Sequence, residues 1–198
     1  MSVAGRQAEV ERTTRETTIR VRMDLDRADE VAVATGVPFF DHMLQQVGIH
    51  GRFGFVIDAR GDLAVDAHHT VEDTGIVLGQ AIRQAIGDGR GIARFGSVHL
   101  PMDDALVLIA LDLSGRPYLH YALETPPQLL GTFSADLTEE FFRALVAHGG
   151  LTLHLLRVHG RALHHVVEAA FKGFGVALAQ AVRVTGGSVP SSKGVVRP

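Results

Sequence analysis

His68-His69-Thr70-Val71-Glu72 decides how this chain is read, because the phrase returns as His164-His165-Val166-Val167-Glu168. Between 68–85 and 164–181, eight residues are identical at a constant offset of 96. Self-similarity on this scale marks a duplicated structural unit. On an α-helix, residues i and i+4 lie about 40° apart around the axis, whereas i and i+1 lie about 100° apart. His68 and Glu72 can therefore converge on one ion, and so can His164 and Glu168, while His69 and His165 point elsewhere. Two copies suggest two metal sites, each an i/i+4 pair joined by the i+1 histidine of the other copy. Imidazole and carboxylate donors without thiolate suit Mn, Fe, Zn or Ni, and donor type does not choose among them.

Composition narrows the classes. A chain of 198 residues fits one domain, or two half-domains sharing a core, and 46% hydrophobic residues suffice to build that core. The net charge of −3 with scattered basic residues argues against nucleic acid as a partner. The absence of cysteine excludes disulfides, thiolate metal sites and cysteine nucleophiles, and fits a reducing, cytoplasmic setting. Residues 1–6 carry no apolar signal-like core, and no apolar run has membrane-spanning length, so neither secretion nor a membrane partner is expected.

The flanking pattern repeats as the motif does. Residues 1–10 read as a mobile arm. Ile19, Val21, Met23 and Leu25 alternate with Arg20, Arg22 and Asp24, which predicts a half-buried strand, with 31–35 as its hairpin partner. Pro38 can open a helix whose stripe is Phe40, Met43, Leu44 and Val47. A strand over 53–59, a short strand over 63–65 and a long helix through Ile86 complete the half. The second half predicts strands at 105–113 and 118–123, a helix at 137–147, a strand at 151–158 and a long helix at 164–184, before an irregular tail. The shorter helices align at offset 98, which lays His42 over Glu140. The expectation is one compact α+β domain of two halves, 1–98 and 99–198, with helices buried between two mixed sheets.

The motifs Arg12-Thr13-Thr14-Arg15-Glu16-Thr17, Phe40-Asp41-His42-Met43-Leu44 and the stretch from Asp66 to Asp73 occur in that order. After them come Gly91-Ile92-Ala93-Arg94-Phe95-Gly96, Leu113-Ser114-Gly115-Arg116-Pro117-Tyr118, the second His-His-x-x-Glu, Phe171-Lys172 and Pro190-Ser191-Ser192-Lys193-Gly194. On these the chain resembles the imidazoleglycerol-phosphate dehydratase family over nearly its whole length. The resemblance implies a duplicated ribosomal-protein-S5-domain-2-like fold, two Mn2+ ions per active site, and trimers assembled into a 24-subunit shell with sites between subunits. It implies that one ion takes His42, His69, His164 and Glu168, and the other His68, Glu72, His165 and residue 140. Where the family often has His before Phe-Phe, this chain has Glu140, which can offer an oxygen ligand instead or leave that position to water.

The reaction so implied is loss of water from D-erythro-imidazoleglycerol phosphate to give imidazole acetol phosphate, in histidine biosynthesis. An imidazole shared by two cations loses its ring proton more easily, and the imidazolate expels the neighbouring hydroxyl. Glu16 is the expected acid/base for the carbon-bound proton. His50, Arg94, Arg116, Lys172, Ser191, Ser192 and Lys193 are the expected substrate contacts, and Asp103 a further polar contact. Arginine offers a planar fork to phosphate oxygens and lysine a compact charge. Two rivals remain at this point. A dinuclear hydrolase would cleave phosphate esters without needing an imidazole. A non-catalytic S5-like module would bind metal structurally or contact RNA, and the latter needs a basic face, which the charge does not supply.

Overall fold

The computed structural model describes residues 5–187. The first half runs β1 (Gln7–Thr13), β2 (Thr17–Asp24), β3 (Val31–Ala34), α1 (Pro38–Gly51), β4 (Gly54–Gly61) and α2 (His68–Ile86). The second runs β5 (Phe95–Met102), β6 (Ala105–Asp112), β7 (Tyr118–Ala122), a short β8–β9 hairpin (Leu129–Leu130, Phe133–Ser134), α3 (Leu137–Gly149), β10 (Thr152–His159) and α4 (Leu163–Val182). The sheets have orders β1-β2-β4-β3 and β5-β6-β10-β7, one permutation used twice. In each, a hairpin is followed by a strand–helix–strand crossover whose two strands lie parallel, β3 beside β4 and β7 beside β10. This is the α+β duplicated unit expected from the repeat.

Three local expectations are corrected. The segment over 31–35 is not the hairpin partner of β2: β3 pairs in parallel with β4, which lies between them. The Asp24 carboxylate accepts the N–H groups of Asp26 (2.9 Å) and Arg27 (3.1 Å), which forms the turn at the end of β2. Hydrophobic alternation reports a buried face and is blind to strand direction. The arm at 1–10 is largely strand, because β1 pairs with β2 from Gln7↔Asp24 onward, with Ala8 buried beneath a polar outer row. Residues 63–65 form a turn rather than a short strand. Strand β5 was not expected; as an edge strand it buries little and contains Pro101, which weakens its sequence signal.

The helices fill the space between the sheets. Phe40, Phe133, Phe141, Phe142, Phe171 and Phe174 are fully buried. Ring centroids are 5.4 Å apart for Phe40–Phe141 and 5.2 Å for Phe141–Phe171, which ties α1, α3 and α4 together. Helix α1 packs on α4 and α2 on α3, so each contact joins one half to the other. Both crossings are close enough to need glycine. A Cβ on Gly75 would stand 2.6 Å from the Phe141 carbonyl, and one on Gly79 2.5 Å from the Leu145 carbonyl. On the other side, a Cβ on Gly175 would stand 2.6 Å from the Val47 carbonyl. Since the opposing atoms are backbone, a side chain there forces the helices apart. Gly79→Val should cost about 1–3 kcal/mol or more by overpacking. Arg83→Ala, on the exposed side of the same helix, should stay within about 0.5 kcal/mol. Thermal unfolding of the two variants side by side checks this.

Candidate functional site

The motif residues open the two long helices, with buried faces that fix their rotation. On α4, Val166, Val167, Ala169, Ala170 and Phe171 are buried, leaving His164 and His165 at the surface and Glu168 one turn further along at 5% exposure. On α1, Phe40 and Met43 anchor the core and His42 lies between them facing outward. The neighbouring Asp41 accepts the Thr35 N–H at 2.8 Å and the Thr35 hydroxyl, pinning the helix start to the end of β3. The Phe39 ring meets His164 edge-on at 5.2 Å.

These elements bring His42, His164, Glu168 and Lys172 together. His164 Nε2 lies 3.1 Å from Glu168 Oε2, and His42 Nε2 lies 3.8 Å from Oε1. Lys172 Nζ donates to Oε1 at 2.7 Å. Burial opposes the charge on Glu168, but the hydrogen bond and charge of Lys172 hold its carboxyl below the usual range. His50, near enough to feel the charges of Lys172 and Glu168, is pushed below the usual imidazole range by partial desolvation and then by Lys172. The buried Gln46 places its amide nitrogen 3.3 Å from His42 Nδ1 and so restrains that ring.

A second group gathers where α2 begins. The Asp66 carboxylate accepts the His68 N–H at 2.8 Å. His69 Nδ1 donates to Asp62 Oδ2 at 3.0 Å, and Glu16 Oε2 stands 3.9 Å from the same nitrogen. The hydrogen bond to Asp62 raises the His69 pKa. Glu16 sits in the β1–β2 turn, where its N–H and that of Thr17 donate to the Thr14 hydroxyl at 3.1 and 3.0 Å. The turn is tied to α2 through the buried Asp73, which accepts from Arg12 at 2.8 Å and from the Thr17 hydroxyl. Glu72 lies half-buried one turn below His68.

A third group surrounds His165. Its Nδ1 donates to Asp104 Oδ1 at 2.7 Å, and its Nε2 is 3.5 Å from Asp103 Oδ2. That bond raises the His165 pKa, and the imidazole with two backbone N–H groups holds Asp104 far below the usual carboxylate range. Asp103 adopts a left-handed conformation, φ 47°, to make the tight β5–β6 turn.

Within one chain the expected ligand sets are only partly assembled. Of the first set, His42, His164 and Glu168 meet, while His69 is engaged by Asp62. Of the second, His68 and Glu72 share α2, while His165 is engaged by Asp104 and Asp103 and Glu140 stands 3.6 Å from Arg143 on its own helix. Among the described residues, no three His, Asp or Glu side chains of one chain are disposed to hold an ion. Nor are the expected phosphate contacts gathered. Arg94, at φ 73°, donates to both oxygens of Asp112 at 2.7 and 3.0 Å, while Arg116 lies exposed in the turn before β7. Arg94 lies just before β5 and Asp103 just after it, so this eight-residue strand puts roughly 25 Å between them. Ser191, Ser192 and Lys193 lie outside the described residues.

Asp62, Asp104, Gln46 and Asp73 escaped the sequence reading. Asp62 lies in a Gly-Asp turn and Asp104 directly follows Asp103, and no spacing marks either of them. The available signal was helical spacing for Gln46, four residues after His42, and for Asp73, one residue after Glu72 inside a motif.

Comparison with known proteins agrees with this architecture. The family model described as imidazoleglycerol-phosphate dehydratase matches residues 35–178. The chain is 52% identical over 194 residues to the imidazoleglycerol-phosphate dehydratase of Paracoccus denitrificans (strain Pd 1222), covering 96% of this chain and 100% of that one. It is 50% identical over 194 residues to that of Moorella thermoacetica (strain ATCC 39073 / JCM 9320), covering 97% and 99%. The crystal structure of IGPD from Pyrococcus furiosus in complex with (S)-C348 superposes with a TM-score of 0.81 at 36% identity, covering 94% of this chain and 99% of that chain. The Staphylococcus aureus subsp. aureus N315 enzyme superposes with a TM-score of 0.79 at 36% identity, covering 90% and 99%. The chain belongs to the imidazoleglycerol-phosphate dehydratase family and is a hydro-lyase of histidine biosynthesis.

Proposed function

We propose that the chain dehydrates D-erythro-imidazoleglycerol phosphate to imidazole acetol phosphate, with two Mn2+ ions per active site shared between copies of the chain in the cytoplasm. The carrying observation is the pair of outward His-His-x-x-Glu arms, each short of a full ligand set within its own chain. The donor set fits divalent manganese: imidazole nitrogens and carboxylate oxygens, with no sulfur. Lys172 Nζ at 2.7 Å already sets a cation against Glu168, so this buried carboxylate sits where positive charge is stabilised. His42, His164 and Glu168 of one copy, joined by His69 of another, would hold one ion. His68 and Glu72 with the other copy's His165 and Glu140 would hold the second. A separation of roughly 25 Å between Arg94 and Asp103 is too long for one three-carbon phosphate ester to bridge. Phosphate-binding arginines and metal-binding histidines would therefore also meet across a boundary between copies. Closed homo-oligomers, such as trimers assembled into a 24-subunit shell, satisfy this by repeating the same few contacts at every subunit.

When bound, the ions supply Lewis acidity and orientation to the substrate's imidazole and hydroxyls. The chain supplies the proton traffic and the charge. Elimination breaks a C–H bond at the carbon that keeps its hydroxyl and a C–O bond at the carbon beside the ring. The resulting enol becomes the ketone by proton transfer. Glu16, exposed on a turn braced by Thr14 and Asp73, takes the carbon-bound proton as general base. Arg94, Arg116, Lys172 and Lys193 neutralise the phosphate, Ser191 and Ser192 donate hydrogen bonds to it, and His50 contacts substrate beside the metals.

Glu16→Gln should lower kcat by about 10²–10⁴-fold with Mn uptake intact; unaltered turnover in the product-enolisation absorbance assay removes Glu16 from this role. Chelation should abolish turnover and added Mn2+ restore it, and activity retained by protein shown metal-free by mass spectrometry contradicts the proposal. Glu140→Ala should lower Mn content towards one ion per site while Glu140→His keeps two, read as metal per subunit; two ions in both variants excludes Glu140 as a ligand.

A further inference from the structure

The i+1 imidazoles of the repeated motif, His69 and His165, occupy matched positions, and each donates Nδ1 to a carboxylate, at 3.0 and 2.7 Å. The two carboxylates do not come from matched places. Asp62 belongs to the connection from β4 to α2, whereas Asp104 belongs to the β5–β6 turn. The difference is one of chain length. Between the end of β4 and His68 the chain has residues 62–67; between the end of β10 and His164 it has only 160–163. The shorter connection, Gly160-Arg161-Ala162-Leu163, has no acidic residue. Instead its Arg161 and Ala162 N–H groups donate to Asp104 Oδ2 at 2.6 and 3.1 Å, fixing from the backbone the carboxylate that His165 needs. In the first repeat the corresponding hairpin turn carries Glu16, whose carboxylate is 55% exposed and lies beyond hydrogen-bond range of His69, at 3.9 Å.

An imidazole that donates Nδ1 to a carboxylate is held in one tautomer and orientation, with Nε2 turned outward and made more basic for a metal. Resting on the two-ion reading above, we propose that Asp62 and Asp104 are positioning residues that aim His69 and His165 Nε2 at the two ions. By filling this role in the first repeat, Asp62 leaves Glu16 unengaged for proton transfer. The duplicated unit has thus divided its labour: one hairpin carboxylate orients a ligand, and its counterpart is spared for chemistry.

The test uses the assembled full-length protein, titrated with Mn2+ while the electron-spin resonance of the free aquo ion is followed, and the Co2+-loaded protein by visible absorption. Asp62→Asn and Asp104→Asn should each weaken Mn binding at one ion by about 10–100-fold and alter the Co2+ spectrum. Asp104→Glu should recover part of the affinity. At saturating Mn2+, Asp62→Asn should lose more kcat than Asp104→Asn, because Glu16 then turns to His69. Wild-type affinity and an unchanged Co2+ spectrum in both Asn variants overturn the positioning role while leaving the two-ion reading intact. Equal kcat losses overturn the division of labour. A wild-type protein that takes up neither ion overturns the two-ion reading, and this inference with it.

Discussion

The two halves of the molecule meet backbone to backbone. At Gly75 and Gly79 the helix α2 lies so near α3 that a methyl group would strike a carbonyl, and Gly175 does the same for α1 and α4. Such contacts are stiff, since main-chain atoms have no rotamers to yield. They fix the rotation of α2 and α4, and with it the direction in which the first turn of each helix presents its histidines. Around this seam the phenylalanine cluster supplies apolar burial, and the two sheets close the layers from outside. His164 and Glu168 share one face by that rotation; His164 is at the open first turn of α4 and exposed, while Glu168, one turn in, is nearly buried.

The chemistry of the arms follows from what braces them. Each i+1 histidine is restrained through Nδ1, His42 is flanked by Gln46, and Glu168 is held charged inside the protein by Lys172. Preorganisation of this kind carries the cost of ordering into folding rather than into ligand binding. The site is nevertheless unfinished in a single chain. The near-triad on α1 and α4, the group on α2 and the cations at the far end of the second sheet are three separate surfaces. Under the proposed function, association of copies would bring these surfaces to one site.

Much of the fold was legible because duplication amplifies weak signals. The long helices, the short helices and the central strands were each readable twice, and the His-His-x-x-Glu phrase set the register between copies. Edge strands were not. β1 and β5 bury one modest row each, and β3 pairs in a direction that alternation does not encode. At the site, the candidate ligand types were legible from helical spacing for Glu168 and from the alignment of the short helices for His42. The carboxylates that orient them were hidden, because Asp62 and Asp104 act through turns whose geometry depends on tertiary placement. Their asymmetry became visible only when the connections preceding α2 and α4 could be compared in space.

The central claim is that α2 of one copy and α1 with α4 of another build a single active site. Co-assembly of two disabled chains tests it most directly. His69→Ala removes a ligand from one surface and His164→Ala from the other, so each homogeneous assembly should be inactive. When the two variants are unfolded together and reassembled with Mn2+, sites that pair the intact α2 of one chain with the intact α4 of the other should recover turnover. Mixed assemblies of full size that remain as inactive as their parents would show that each chain completes its own site, and would contradict the account.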